Sequence, residues 1–166
     1  MKKTLLFAMS LMVLASCSKE EVVGPSLVES TTINGVVRAN LDYTNDTSSW
    51  GGSQTTYESA PAGVSVTITY DSYDLELHPD PNYQYQEIHL TAALDGDGKF
   101  SVEVPTIAAG IQMTVRIEDF YYNRKVWDYS TSPYTKVFEP YLYQQYSPYS
   151  LVVYPGLEEQ IIITMN

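Results

Sequence analysis

Val64-Ser65-Val66-Thr67-Ile68-Thr69-Tyr70 alternates apolar with hydroxyl-bearing residues without a break. Successive side chains of an extended strand point to opposite faces, so Val64, Val66, Ile68 and Tyr70 share one face and Ser65, Thr67 and Thr69 the other. A helix would scatter the same residues around its circumference. The stretch is therefore a strand with one buried and one wet face. The same period recurs in both directions along the chain. Ile111, Met113, Val115 and Ile117 alternate with Gln112, Thr114 and Arg116, and Phe100, Val102 and Val104 with Ser101 and Glu103. Weaker versions run through 33–41, 88–92 and 149–153, and the chain closes on Gln160-Ile161-Ile162-Ile163-Thr164-Met165.

No segment beyond the first seventeen residues gives an i, i+3, i+4, i+7 apolar stripe, so little helix is expected. Short strands that are apolar on one side cannot bury that side alone. About seven of them imply an all-β fold, an antiparallel β-sandwich of two sheets sharing a core. Asp95-Gly96-Asp97-Gly98 supplies residues that tolerate positive φ, and predicts a tight hairpin pairing the strand around Ile88 with that around Val102. Asp97 and Asp95 invite a calcium reading, but position twelve of such a loop is Thr106, not an acid, so the turn reading is preferred.

The order of these strands resembles a known family. A Gly-containing first strand (Ile33-Asn34-Gly35-Val36-Val37) is followed by Ala60-Pro61-Ala62-Gly63-Val64-Ser65-Val66. Then comes Asp95-Gly96-Asp97-Gly98-Lys99-Phe100, leading to Val102-Glu103-Val104-Pro105. The pattern is similar to the carboxypeptidase-regulatory-like and related transthyretin-like (prealbumin-like) domains, over roughly 33–118, with Pro155-Gly156-Leu157 compatible with the approach to the last strand. The resemblance implies a transthyretin-like sandwich used as a structural, adhesive or accessory module. A long polar insertion after the first strand and a Tyr/Pro-rich stretch late in the chain depart from it.

The amino terminus carries an address. Lys2-Lys3, an apolar run over 5–15 and Leu14-Ala15-Ser16-Cys17 resemble a bacterial lipoprotein signal with its lipobox, and the apolar run is too short to span a bilayer. The resemblance implies cleavage after Ser16, with lipid attachment at Cys17. Several acyl chains then hold the protein on the membrane, at ~0.8 kcal/mol per buried methylene. Ser18-Lys19-Glu20-Glu21 is similar to the export signal that follows the lipidated cysteine in surface lipoproteins of Bacteroidota, implying the outer membrane and its outward face. The organisation expected is a signal peptide at 1–16, a lipidated tether at 17–32 and a single β-sandwich domain at 33–166.

Beyond the signal, seven basic residues face twenty acidic ones, a formal charge of −13. Such a chain repels phosphate backbones, so no nucleic-acid partner is expected. Cys17 is the only cysteine, which leaves no internal disulfide and no thiolate chemistry. His78 and His89 lack the spacing of a metal-binding pair, and no nucleophile elbow or phosphate loop is present, so neither metal, cofactor nor enzymatic activity is expected. Two regions are candidates for binding a surface protein or glycan. Asp42 to Ala60 is a polar insertion longer than the ~12–15 residues usual for a structureless loop, centred on Trp50-Gly51-Gly52. Trp50 either stacks on a sugar ring or a partner, folds back as a lid on the end of the sandwich, or sits in a loop without fixed structure. Nine of the fifteen tyrosines fall between Tyr121 and Tyr154 with Trp127 and Phe138. Tyr141 and Tyr143 should project from one face, either as a contact surface or as cross-strand packing. The functional expectation is a non-enzymatic binding or assembly module held at the outer membrane, with a glycan-binding accessory of a polysaccharide-uptake system or a pilus or adhesin component as alternatives.

Cys17→Ala is expected to release the protein from the outer-membrane fraction and to abolish incorporation of labelled fatty acid. Retention of the variant in that fraction, with no label on the wild type, contradicts the lipoprotein reading.

Overall fold

The structure is a computed structural model and describes residues 28–49 and 52–166. Among them are twelve strands: β1 (Glu29–Ala39), β2 (Thr47–Ser49), β3 (Gly52–Gln54), β4 (Glu58–Ser59), β5 (Ser65–Asp71), β6 (Glu87–Ala93), β7 (Lys99–Thr106), β8 (Ile111–Ile117), β9 (Phe120–Asp128), β10 (Thr135–Tyr143), β11 (Tyr149–Val153) and β12 (Glu159–Met165). The single departure from strand and loop among these residues is a 3-10 turn at Ser72–Leu75, capped by the Asp71 carboxylate. The chain is an all-β sandwich.

The first sheet is built around β1. Its alternation sends Ile33, Gly35, Val37 and Ala39 inward, and these pair with inward residues on both sides. β12 lies parallel to it in the register Gly35↔Ile161, Val37↔Ile163 and Ala39↔Met165. β7 lies antiparallel on the opposite edge, with Ile33↔Val102 and Gly35↔Phe100, and β4 continues that edge through Arg38↔Ser59. The second sheet runs β11-β8-β5-β6, antiparallel throughout. Val66, Ile68, Met113, Val115 and Ile117 from this sheet meet Ile33, Val37, Val104, Ile161 and Ile163 from the first in one continuous core. Full burial of a Val, Leu or Ile side chain stabilises by ~1.5–3 kcal/mol, so these alternating runs supply the main driving force for folding.

Four sequence expectations are corrected. The strand count exceeds seven, because the insertion folds as its own hairpin, β2-β3, and the late aromatic stretch as another, β9-β10. The first strand starts at Glu29 rather than Ile33, because Thr31 is buried and its hydroxyl donates to the Leu157 carbonyl, which draws 29–32 out of the expected tether into the sheet. The first sheet is mixed, since β12 returns parallel to β1. The Asp95–Gly98 turn forms, with Gly98 N–H donating to Asp95 O at 3.1 Å, yet β6 pairs with β5 and β7 with β1. The turn passes the chain between sheets. Turn chemistry is local, whereas the pairing is decided by β1, whose Val37 donates its N–H to Gly98 O at 2.8 Å and accepts from Ala60 N at 3.0 Å. Gly98 has φ +70, and a Cβ there would lie 2.7 Å from Val37 O, so both conformation and space require glycine.

Gly35 is required for a different reason. The Phe100 ring lies across it, and a Cβ would fall 2.1 Å from Phe100 Cε1. Ring and glycine fill one cross-strand site together.

The elements divide between two ends. β1 starts beside the loop at 72–86, where Val28 lines a hollow with Tyr83 and Tyr85. It finishes at Ala39 beside Met165, and the insertion and the β9-β10 hairpin both extend from that far end.

Val115→Asp buries an unpaired charge at a fully enclosed site and is expected to unfold the domain, while Thr67→Asp on the wet face of β5 is expected to cost under about 1 kcal/mol. Gly35→Ala should cost about 1–3 kcal/mol by overpacking against Phe100. Thermal melts followed by far-UV dichroism check all three, and equal tolerance at positions 67 and 115 contradicts the core assignment.

Candidate functional site

Beyond Ala39 the backbone leaves the sheet through Asn40, Leu41 and Asp42, and carboxylates hold it there. Glu58 Oε2 accepts from the N–H groups of Leu41 and Asp42 at 2.7 and 3.3 Å, and Glu58 Oε1 accepts from Asn45 Nδ2 at 2.6 Å. Asp46 accepts from Asn40 Nδ2 and from Thr56 N–H, both at 2.8 Å. These bonds close the base of the insertion, so the two ends of β2-β3 are fixed although the segment carries few apolar residues.

The same stretch is stitched to β9. Lys125 N–H donates to Leu41 O and Tyr43 N–H to Lys125 O, each at 2.9 Å, and Lys125 Nζ lies 3.3 Å from Asp42 Oδ2. Burial by itself would raise the Asp42 pKa. Hydrogen bonds from Thr44 and Lys125, with the Lys125 charge, outweigh that and hold it below the ordinary carboxylate value. The two regions flagged separately in the sequence thus meet at one place.

Arg124 fastens the junction. Its guanidinium carbon lies 3.8 Å from the Tyr141 ring centroid and 4.8 Å from that of Tyr43. Nε donates to Glu139 Oε1 at 2.6 Å, Nη2 pairs with the same oxygen, and Nη1 donates to Tyr43 Oη at 3.3 Å. Burial opposes the charge on Arg124, but the hydrogen bond and charge of Glu139 overcome it, and the pKa is raised. Cation–π contacts of this kind contribute ~0.5–2 kcal/mol each, more where water is excluded.

Tyr141 and Tyr143 do share a face, with ring centroids 4.9 Å apart in an edge arrangement. Their fates differ. Tyr143 is 1% exposed, stacks on Phe120 at 5.3 Å and donates its hydroxyl to the Asn40 carbonyl. No ring face of Tyr143 remains for a ligand, and the expectation of a binding role there gives way to packing. Tyr141 is half-buried, covered on one side by Arg124. Trp50 and Cys17 lie outside the described residues.

The opposite face of the hairpin is open. Across the β9-β10 ladder Tyr121 pairs with Leu142, Asn123 with Pro140, Lys125 with Phe138 and Trp127 with Lys136. Each step therefore carries one ring, in the order Tyr121, Pro140, Phe138 and Trp127. At ~3.4 Å per residue this stripe is about 20 Å long. Tyr121 is 76% and Phe138 70% exposed, and Lys136 Nζ lies 4.9 Å over the Trp127 ring. At the tip Tyr129 and Tyr134 meet edge-on at 5.1 Å.

On the inner side of the junction is a cleft of about 230 Å³ lined by Asn40, Tyr43, Asp46, Thr55, Tyr57 and Tyr141, floored by Tyr143 and Met165. Sequence reasoning missed Arg124, Asn40, Asp46 and Tyr57. A lone arginine inside a tyrosine-rich run was a readable signal; the others carried none. His89 lies 3.2 Å from Glu87 and 3.1 Å from Thr69 on the wet face of the second sheet, far from this junction. No protein-family model matches the chain, and no curated protein matches it.

Burial, reinforced by Tyr43, Tyr141 and Glu58 and opposed by Arg124, pushes the Tyr143 phenol up to about 12. An unfolded tyrosine titrates near ~10, so the folded chain keeps a proton that the unfolded chain releases between these values. The stability this supplies is complete below pH ~10 and is lost as pH rises toward ~12. The wild-type melting temperature is expected to fall more steeply across that window than that of Tyr143→Phe, a variant whose stability at neutral pH is lower by ~1 kcal/mol for the lost bond to Asn40. Parallel curves contradict the assignment.

Proposed function

We propose that this chain is an outer-membrane-anchored lipoprotein whose transthyretin-like sandwich works as a non-enzymatic binding module, with the β9-β10 hairpin end as its contact surface. The observation that carries the reading is the stripe Tyr121, Pro140, Phe138 and Trp127, four ring side chains left on the open face of a hairpin pinned by Arg124. Three aromatic side chains exposed in line with a proline ring on a rigid element are the kind of surface that recognition sites use. The position of the stripe supports it further. A tether ending near Val28 feeds directly into β1, and eleven extended residues carry the chain about 35 Å before the hairpin end is reached. A module anchored through Cys17 then holds this end away from the membrane.

Charge agrees. The hairpin has three basic residues (Arg124, Lys125, Lys136) against two acidic ones (Asp128, Glu139), on a chain that is strongly acidic elsewhere. The acidic body keeps the module from collapsing onto anionic surfaces, and the aromatic end is left as its least repelled face.

A photoreactive benzoylphenylalanine at position 138 of the full chain in intact cells is expected to give discrete adducts, whereas the same group at Glu87 or Ser101 on the wet sheet faces is not. Equal labelling at the three positions, or none at 138 with strong labelling at the other two, contradicts the reading.

A further inference from the structure

We infer that the loop at 72–86, together with Val28, is a foot that rests on the headgroup layer of the membrane holding the anchor, and that the surface it takes is zwitterionic; this rests on the anchored-module reading above. Fifteen residues separate β5 from β6 here, a length at which loops of compact domains often carry function. The loop is well tied. Ser72 N–H donates to Gln86 O at 2.9 Å, Gln86 N–H donates back to Ser72 Oγ at 2.8 Å, and Asp80 N–H donates to Tyr85 Oη at 2.8 Å. Its apolar side chains are nevertheless left outside: Tyr73 and Leu77 are each 51% exposed, Tyr83 64% and Val28 54%. Tyr73 and Tyr83 meet Tyr85 edge-on at 5.1 and 5.0 Å, so the rings form one cluster at the surface.

Where the chain enters the domain decides what meets this patch. Val28 lines a hollow of about 470 Å³ with Leu75, Tyr83 and Tyr85. From position 17 to position 28 there are eleven residue steps, which at ~3.5 Å each reach at most ~38 Å. Once Cys17 carries lipid, the patch stays within that radius of the bilayer. A contact too weak to form from solution is then populated, because a short linker sets an effective concentration in the millimolar range. Tyrosine suits the place, since its ring reaches the top of the acyl chains while its hydroxyl stays among the headgroups. The β9-β10 hairpin, at the opposite end, remains free for its own partner.

The charges say which headgroups. From Asp71 to Glu87 there are five carboxylates and no lysine or arginine. An anionic leaflet repels such a loop, and the basic patch that would hold it there is missing. A zwitterionic headgroup instead presents an ammonium group toward the water, within reach of the exposed Glu76 and Asp80 beside the hollow. Tyrosine ring faces attract the same cation.

The test uses the full-length lipidated protein in vesicles of phosphatidylcholine and phosphatidylethanolamine, and in the same vesicles with about 30% phosphatidylglycerol. Lipid occupies the sole native cysteine, so His78→Cys and Gln84→Cys each take one dye beside the patch, with Ser101→Cys on a wet sheet face and Phe138→Cys on the hairpin as references. A nitroxide on the headgroup quenches a dye only at contact. On zwitterionic vesicles, quenching at 78 and 84 is expected to exceed that at 101 and 138 by about threefold or more, and to fall to the reference level on the anionic ones. Glu76→Lys should restore part of it on the anionic vesicles, and Leu77→Ser/Tyr83→Ser should abolish it on both. Both of those side chains are more than half exposed, so the double variant should melt as the wild type does; if it melts lower, Glu76→Lys decides. Uniform quenching at the four positions, none at 78 and 84, anionic quenching that equals or exceeds zwitterionic, or quenching that survives the double variant overturns the inference. A chain without lipid on Cys17 fails this inference and the anchored reading together, whereas a lipidated chain without the contrast at 78 and 84 fails the foot alone.

Discussion

Both edges of β1 are hydrogen-bonded along most of its length, and the rest of the molecule is arranged by that saturation. β12 occupies one edge in parallel, and β7 followed by β4 fills the other. The point where β7 gives way to β4 is occupied by Gly98 and Ala60, which satisfy the N–H and carbonyl of Val37. A strand so enclosed cannot slip by one residue without turning Ile33, Val37 and Ala39 out of the core. The glycine at position 35 belongs to the same constraint, because the Phe100 ring covers it from the neighbouring strand. Since β1 also sets where the chain leaves the sheet, it fixes the position of Asn40 and with it one wall of the cleft.

At the far end the stabilising logic changes from apolar burial to paired charges and rings. The insertion has little apolar surface to bury, and its base is held by Glu58 and Asp46 accepting from backbone and amide donors. The hairpin is joined to it by Arg124, stacked between Tyr43 and Tyr141 and neutralised by Glu139. These bonds add to the burial of Phe120 and Tyr143, which roots the base of the β9-β10 hairpin in the core. Once these groups are satisfied internally, what the hairpin presents outward is the row of rings, with Lys136 over Trp127 at its far end.

The alternating runs through Val66, Val102, Val115 and Ile163 were legible because a period of two is local and the core demands it. Which strands adjoin was not legible. The Asp95–Gly98 sequence encodes a turn, but the partner of the strand that follows it is set by β1, some sixty residues earlier. The parallel return of β12 likewise depends on a connection that no local pattern records. Tyr141 and Tyr143 could be placed on one face from their spacing alone, yet which of them the core would absorb depends on Phe120 and Asn40. The stack of Arg124 on Tyr43 joins residues 81 apart in sequence and becomes visible only in three dimensions.

The central claim is that recognition occurs at the hairpin end and not at the end where β1 begins. Hydrogen–deuterium exchange of the full-length protein, with and without a saturating cell-surface polysaccharide extract, tests it directly. The account predicts added protection confined to residues 40–58 and 120–143. Protection concentrated at 72–86, beside the start of β1, or along the open edge of β12, would contradict it.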